Sequence, residues 1–222
     1  MRFILFPPDA TAAACLDLEA KLTSRVDRQL RALALAKQCA DMGARVRTIG
    51  HLTGLPSRDV LRLLFPDRQS VPRGRPPDSP EWYHGANLLY RADASIMMST
   101  YRRLRCADFA AANALVGAYR HYLGVCQAPH RISFDRAFDL AAHTDGLWLT
   151  HEKHFAIVTC QVCTSEFLAA NGSTASASGE CPFCKLVQRY GTDQRLQSSF
   201  PARPLVDPAS IQLGMLALLR GM

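Results

Sequence analysis

The chain has 222 residues, of which 48% are hydrophobic, 20% are charged and 8% are aromatic. This mixture is typical of a chain that buries a core, and it excludes wholesale disorder and low-complexity architectures. No apolar run approaches the ~20 residues that a membrane-spanning helix requires, and the N-terminal apolar run is too short for a signal peptide. We therefore expect a soluble, cytoplasmic protein with no membrane partner.

The net charge of +7 is distributed unevenly along the chain. Residues 21–105 contain 16 basic and 7 acidic side chains, whereas the flanking segments are close to neutral. Arginine supplies 22 of the 26 basic residues, and its planar guanidinium group suits phosphate groups and guanine edges better than the lysine ammonium group does. This bias favours a nucleic-acid partner, although a GC-rich genome would produce the same arginine content.

Helical periodicity dominates the first 145 residues of the chain. Apolar residues at three- and four-residue spacings from Leu16 to Leu35 predict an amphipathic helix that continues towards Met42, where Gly43 supplies a stop. Further helices are predicted over residues 81–104, 107–123 and 134–143. Five prolines between positions 65 and 80 predict a loop between the first and second groups of helices.

The segment over residues 44–64 has the pattern of a helix-turn-helix. Gly50 is small enough for two helices to cross closely, Gly54 can adopt the positive φ of the turn, and Ser57 can cap the second helix. Its inward face is predicted to comprise Ile49, Leu55, Val60 and Leu63. The pattern is typical of a DNA-binding module, and an ordinary pair of helices in a helical core is the alternative.

Arginines lie on and around the second helix of this segment. Its solvent face is predicted to present Arg58, Asp59 and Arg62, and an arginine in the major groove can bond guanine through two hydrogen bonds. Arginines before and after the segment can contact phosphate groups. The candidate DNA-binding residues are Ser57, Arg58, Arg62, Arg45, Arg47, Arg68, Arg73 and Arg75.

The pattern of the chain changes after Gly146. Short runs of β-type residues at positions 147–149 and 155–159 replace the helical periodicity, and the cysteines begin to occur in pairs. A run rich in Ser, Ala, Gly and Thr predicts a flexible loop at residues 171–179, and residues 211–219 are predicted to form a short helix. A domain boundary is therefore expected directly after Gly146.

The paired cysteines have the spacing of a zinc site. Cys160 and Cys163 form one Cys-x-x-Cys motif, and Cys181 and Cys184 form a second after 17 intervening residues. Disulfide bonds and a redox-active motif are the alternatives, but cytoplasmic disulfides are rare and redox chemistry needs no second motif. Four protein ligands leave no position for water or substrate, so we expect one structural Zn²⁺ in a zinc-ribbon-like module.

No catalytic constellation accompanies these motifs. The sequence contains no recognisable Ser-His-Asp set, phosphate-binding loop or pair of carboxylates, so we expect neither an enzyme nor a small-molecule substrate. The two histidines of residues 151–154 are three residues apart rather than the four of a zinc-protease motif, so we predict a polar turn there.

The other cysteines are expected to be buried thiols: Cys15, Cys39, Cys106 and Cys126. Aromatic residues are expected in the helical core: Trp82, Tyr83, Tyr101, Tyr119 and Tyr122.

These features occur in an order that resembles the FlhC family, the C subunits of the bacterial flagellar master transcriptional activator. The resemblance covers roughly residues 28–190 and rests on the paired cysteine motifs and on blocks at residues 42–45, 79–83, 94–95 and 118–123. It implies a mostly helical protein with a zinc-binding C-terminal region. It also implies three partners, which are an FlhD-type subunit, promoter DNA and RNA polymerase. By matching position, it implies that the zinc ligands are Cys160, Cys163, Cys181 and Cys184.

We therefore predict a mostly α fold, in which a helical body precedes a small four-cysteine zinc module. The predicted segments are an N-terminal extension (1–20), the helical body (21–146), the zinc-binding module (147–190) and a C-terminal tail (191–222). The predicted function is that of a DNA-binding subunit in a hetero-oligomeric activator of flagellar genes. The alternative is a helical interaction module that binds an FlhD-type partner without recognising promoters.

Overall fold

The computed structural model describes residues 9–74, 81–126, 128–171 and 181–199, and it leaves the side chains of residues 9–23 and of Arg68 undescribed. The predictions for the loop beyond residue 171, for the helix at residues 211–219 and for Arg75 therefore lie outside the described residues. The described part is mostly helical and carries one two-stranded antiparallel hairpin, which confirms the mostly α fold.

Helices precede and follow the hairpin. The helices are α1 (Asp9–Asp41), α2 (Val46–Thr53), α3 (Ser57–Leu64), α4 (Glu81–His84), α5 (Leu88–Cys106), α6 (Ala111–Val125), α7 (Phe134–Asp145), α8 (Pro182–Tyr190) and α9 (Gln194–Ser199). A short 3₁₀ helix (Arg68–Ser70) follows α3, and the strands are β1 (Phe155–Thr159) and β2 (Glu166–Ala170). The strands pair with Ile157 opposite Leu168.

Local signals set the ends of the longer helices. Helix α1 ends before Gly43, whose φ of +78° interrupts the helix as predicted. Ser133 caps α7 by accepting a hydrogen bond from the Arg136 N–H (3.4 Å), and Gly146 ends α7 at a φ of +71°. A Cβ atom on Gly146 would lie 2.8 Å from the carbonyl oxygen of His151, so only glycine fits where the chain turns towards β1.

Three predicted elements differ from the structure. The helix expected over residues 81–104 is divided into α4 and α5, because the Asn87 side chain accepts a hydrogen bond from the Tyr90 N–H (3.0 Å) and starts a new helix. Helix α6 begins at Ala111 rather than at residue 107, since Asp108 adopts a φ of +61°. The strand expected at residues 147–149 is a turn, in which Trp148 and Leu149 pack on the core.

Helix α5 lies at the centre of the described fold and contacts α6, α7 and both strands. Its residues Met97, Met98 and Tyr101 are fully buried. The predicted aromatic core is confirmed for Tyr83, Tyr101, Tyr119 and Tyr122, while Trp82 is half-buried. A continuous hydrophobic core therefore joins the helices on which the hairpin rests.

The hairpin packs directly on the helical body. Phe155 of β1 and Leu168 of β2 are buried in the same hydrophobic core as the helices. The Tyr83 O–H donates a hydrogen bond to the Leu168 carbonyl (2.8 Å), and the Leu168 N–H donates one to Ser95 Oγ (3.1 Å). These contacts fix the hairpin, and with it the cysteines that follow β1.

The single cysteines are placed in different environments. Cys39 is buried as predicted and Cys126 is half-buried, whereas the side chain of Cys15 lies outside the described residues. Cys106 is exposed, so the prediction of a buried thiol is wrong there, because Cys106 is the last residue of α5 and lies beyond the packed part of that helix.

Residues 151–152 form an exposed bend, which agrees with the predicted polar turn. Among the described helices, none combines the length and apolarity that spanning a bilayer requires.

Candidate metal centre and nucleic-acid interface

Four cysteines from two separate turns converge at the end of the hairpin. Cys160 follows β1 directly, and its N–H donates a hydrogen bond to the Ser165 carbonyl (2.9 Å), which closes the turn that contains Cys163. Cys181 occupies the position before α8, and Cys184 lies in the first turn of that helix. A tight turn and a helix start thus present two sulfurs each to one point.

The distances between the sulfurs match a tetrahedral metal site. All four Sγ atoms lie within 4.8 Å of one another. The Sγ atoms of Cys160 and Cys184 are 3.7 Å apart, and those of Cys163 and Cys181 are also 3.7 Å apart. A tetrahedron with Zn–S bonds of about 2.3 Å has S–S edges of about 3.8 Å. The cluster therefore has the size and donor set that one Zn²⁺ requires.

Local hydrogen bonds and burial affect the four thiols differently. A backbone N–H of Cys163 is the main group that lowers the pKa of Cys160, and hydrogen bonds with Ser165 lower the pKa of Cys163 to about 6. Burial raises the pKa of Cys181, and the neighbouring Cys163 sulfur raises the pKa of Cys184 to about 12. Local hydrogen bonds thus favour the thiolate forms of the first motif, whereas the second motif needs a cation to favour deprotonation.

The surroundings of the cluster suit a structural ion. Cys160 and Cys181 are buried together with Phe167 and Ala169 in a small apolar cluster next to the main core. In the described part of the chain, these four cysteines are the only group of three or more metal-binding side chains that converges. Four sulfur ligands in a closed shell stabilise a fold and leave no open position for substrate.

The helix-turn-helix segment folds as two short helices joined at Gly54. Gly54 has a φ of +73°, and its N–H donates a hydrogen bond to the Gly50 carbonyl (2.8 Å). Ile49, Leu55 and Val60 are buried, as the inward face was predicted to be. The two helices contact each other and both contact α1. The turn and most of its core therefore agree with the sequence pattern.

Two predictions for this segment are wrong. Leu63 is 51% exposed, because the inward face of α3 advances by one four-residue step from Val60 to Leu64, which packs on the core. Ser57 is the first residue of α3 and not its N-cap; Pro56 takes the cap position without a side-chain hydrogen bond. The Pro56 carbonyl accepts hydrogen bonds from the Asp59 N–H (2.9 Å) and from the Val60 N–H (3.1 Å), the second of which is the first α-helical bond.

The structure separates the eight candidate DNA-binding residues into three groups. The exposed group comprises Ser57, Arg58, Arg62, Arg47 and Arg73. Arg75 and the side chain of Arg68 lie outside the described residues. Arg45 forms the third group, since its side chain is only 24% exposed and its Nη1 atom lies 3.0 Å from Asp135 Oδ2.

The exposed arginines surround an open groove. Arg58 and Arg62 of α3 and Arg73 of the following loop line this groove together with apolar residues, among them Leu61 and Phe65. Among the described residues, neither Arg58 nor Arg62 has an acidic side chain within ion-pair distance. The edge of the groove therefore carries guanidinium groups that are available to an anionic partner.

Sequence reasoning missed the acidic partner of Arg45. Asp135 lies 90 positions further along the chain, at the start of α7. A carboxylate in the first turn of a helix is ordinary in a sequence, because it interacts favourably with the helix dipole. No local signal therefore connects Asp135 with the helix-turn-helix segment.

The sequence of this chain was compared with protein families and with known proteins. The family model described as "Flagellar transcriptional activator (FlhC)" matches residues 23–197, which include α2, α3 and all four clustered cysteines. The chain is also similar to the "Flagellar transcriptional regulator FlhC" of Cupriavidus metallidurans, with 27% identity over 201 residues, which cover 83% of this chain and 84% of that protein. Because the family match spans most of the sequence, this chain belongs to the FlhC family of flagellar transcriptional activators.

Proposed function

We propose that this chain is the DNA-binding subunit of a hetero-oligomeric activator of flagellar genes. In this proposal it acts in the cytoplasm with an FlhD-type subunit, promoter DNA and RNA polymerase, and it holds one structural Zn²⁺. The family match supports transcription regulation. The observation that carries the finer proposal is the exposed guanidinium pair of α3, Arg58 and Arg62, on the second helix of a helix-turn-helix.

The second helix of such a motif enters the major groove, where base edges can be distinguished. Arg58 and Arg62 are four positions apart, so they project from the same face of α3 one turn apart. We assign base reading to this pair, with Ser57 beside it at the start of the helix. Arg47 and Arg73, and in sequence Arg68 and Arg75, would add contacts to phosphate groups.

An exposed apolar helix face supports the proposal of a protein partner. All residues from 24 to 31 of α1 are exposed, and among them Val26 and Leu30 are 56% and 59% exposed. An isolated helix is only marginally stable in water, because most of the stability of a helix in a protein comes from packing its apolar face against other residues. An FlhD-type subunit that covers Val26 and Leu30 would supply that packing and account for their exposure.

The four-cysteine cluster supports a structural role for zinc in this proposal. The ion would be held by Cys160, Cys163, Cys181 and Cys184. It would stabilise the fold by linking the two segments and would take part in no catalytic step. The cluster joins α8 to the end of the hairpin, and α8 also contacts α5. Zinc would therefore keep the C-terminal helices attached to the body.

The test is a DNA titration of the protein co-purified with its FlhD-type subunit. Fluorescence anisotropy of a flagellar promoter fragment and of a scrambled fragment gives both affinities for the wild type, Arg58→Ala and Arg62→Ala. Arg120→Ala is the matched control, because Arg120 is exposed on α6. Each base contact contributes about 1–3 kcal/mol of discrimination, so each α3 variant should lose roughly five- to 150-fold in promoter preference.

The control variant should retain the affinity and the preference of the wild type. If both α3 variants also retain the promoter preference of the wild type, α3 does not read bases and the assignment is wrong. A promoter preference that persists at moderate salt is expected for the wild type, since base contacts add a component that salt screens less than phosphate contacts.

A helical interaction module without promoter recognition is the second candidate. The exposed Val26 and Leu30 favour it, because they indicate a protein contact irrespective of DNA. For this candidate, the complex with the FlhD-type subunit forms, but the promoter and scrambled fragments bind equally. The same titration therefore separates the two functions.

A further inference from the structure

Asp135 holds the start of the helix-turn-helix segment from a different helix. Its Oδ1 atom accepts hydrogen bonds from the Arg45 backbone N–H (3.1 Å) and from Thr48 Oγ1 (2.6 Å). Its Oδ2 atom accepts a third from Arg45 Nη1 (3.0 Å). The Asp135 side chain is 5% exposed, so these bonds form in a place that water barely reaches.

This carboxylate takes the place of a missing local cap. Arg45 is the N-cap residue of α2, and its own side chain makes no capping hydrogen bond. Asp135 lies in the first turn of α7 and faces the first turn of α2, so the positive ends of two helix dipoles meet at one negative charge. Asp135 therefore joins the first turns of α2 and α7, alongside the stacking of His51 of α2 on Phe138 of α7.

The Arg45 guanidinium extends the same contact to the far side of the segment. Its Nη2 atom donates a hydrogen bond to the Arg73 carbonyl (3.2 Å), in the loop that leaves α3. A Cβ atom on the next residue, Gly74, would lie 3.3 Å from that Nη2 atom. The guanidinium thus joins α7 to the start of the helix-turn-helix segment and to the loop that follows it.

We propose that Arg45 and Asp135 form an orienting clamp, comprising Arg45, Thr48, Asp135 and the Arg73 carbonyl, that sets the angle at which α3 meets DNA. The inference rests on the proposed function of α3 and removes Arg45 from the phosphate-binding residues. A phosphate group would have to displace a buried, hydrogen-bonded carboxylate to reach Arg45, which costs more than the exposed contact would return. Arg45 and Asp135 are positioning residues that determine promoter specificity from behind the DNA-binding face.

The test measures promoter preference and its salt dependence in the complex with the FlhD-type subunit. The variants are Arg45→Lys, Asp135→Asn and the milder Thr48→Val, with Arg47→Ala as the matched control on the exposed face of α2. These variants should misdirect α3 and so lower promoter preference by about tenfold, which is within the range of coupling energies between connected sites. They should leave the slope of log affinity against log salt concentration unchanged. Arg47→Ala should reduce that slope by about 1 and weaken both fragments equally.

The opposite pattern overturns the clamp. If Arg45→Lys keeps the promoter preference and Asp135→Asn binds as the wild type does, the pair does not orient α3. A further variant, Arg45→Gln, removes the positive charge of residue 45. If it reduces the salt slope by about 1 while Asp135→Asn leaves the slope unchanged, Arg45 contacts phosphate directly.

Hydrogen exchange of the free complex tests the clamp without DNA. Arg45→Lys and Asp135→Asn should each accelerate exchange in α2 and α3, and the double variant should add little to either, because both remove the same contact. Additive effects in the double variant contradict the clamp. If the wild type shows no promoter preference but exchange is non-additive, the proposed function and the role of the clamp in specificity fail, while the coupling of Arg45 and Asp135 to α2 and α3 stands.

Discussion

Substituting one of the four clustered cysteines, the proposed zinc ligands, should detach the C-terminal helices without unfolding the helical body. In Cys163→Ser, the site loses one of four sulfurs that lie within 4.8 Å of one another. Phe167 is the largest buried apolar side chain next to the site, and its burial contributes about 2–3 kcal/mol. A structural zinc contributes about 10–16 kcal/mol in small zinc-folded units. The apolar shell alone therefore cannot replace the ion.

The hairpin should respond differently from α8, because Tyr83 and Ser95 hydrogen-bond Leu168 on the side away from the cysteines. We expect Cys163→Ser to lose zinc to a chelator that leaves the wild type loaded, and to lose exchange protection in α8 but not in β2. Metal analysis and hydrogen exchange measure both effects, with the exposed Cys106→Ser as the control. Stoichiometric zinc together with unchanged α8 protection in Cys163→Ser would contradict a structural role for zinc at this cluster.

Two further predictions concern the core. Tyr83→Phe removes the hydrogen bond to the buried Leu168 carbonyl and should lower the free energy of unfolding in urea by about 1–3 kcal/mol; an unchanged value contradicts the anchoring of the hairpin. Burial lowers the pKa of His143 below its ordinary value of 6.5, and His154 lowers it further. As the pH falls through 6.5, the unfolded chain therefore binds more protons than the folded chain does, and the free energy of unfolding decreases. The decrease is at most about 1.4 kcal/mol per pH unit. His143→Asn should flatten that dependence in unfolding measured from pH 7.5 to 5.5, whereas the exposed His121→Asn should retain it; equal slopes in the two variants would show that His143 does not cause the dependence.

Short-range patterns account for what the sequence predicted well. Apolar residues at helical spacing and a glycine with positive φ fix α1 and the turn at Gly54, since both depend on residues a few positions apart. The spacing of the cysteines likewise places two sulfurs in each turn. The convergence of the two turns depends on the intervening hairpin, whose first strand the β-type run at residues 155–159 predicts.

The errors have two causes, which are local hydrogen bonds that a helical pattern does not reveal and contacts between residues that are distant in the sequence. Asn87 interrupts a continuous helical pattern by a local side-chain hydrogen bond, and the turn at Trp148 carries apolar residues because it covers the core. Arg45 has the same charge and sequence context as the exposed arginines, but Asp135, 90 positions away, determines where its guanidinium lies. Contacts of this kind cannot be read from a single sequence, because nothing local distinguishes a paired arginine from a free one.

The proposed function is tested most directly by transcription from a flagellar promoter in cells that lack their own FlhC-family subunit but retain the FlhD-type subunit. We predict that this chain restores a promoter reporter, and that the Arg58→Ala, Arg62→Ala double variant does not, while it still holds zinc and co-purifies with the FlhD-type subunit. A double variant that restores the reporter as fully as the wild type would contradict the assignment of α3 as the DNA-reading helix.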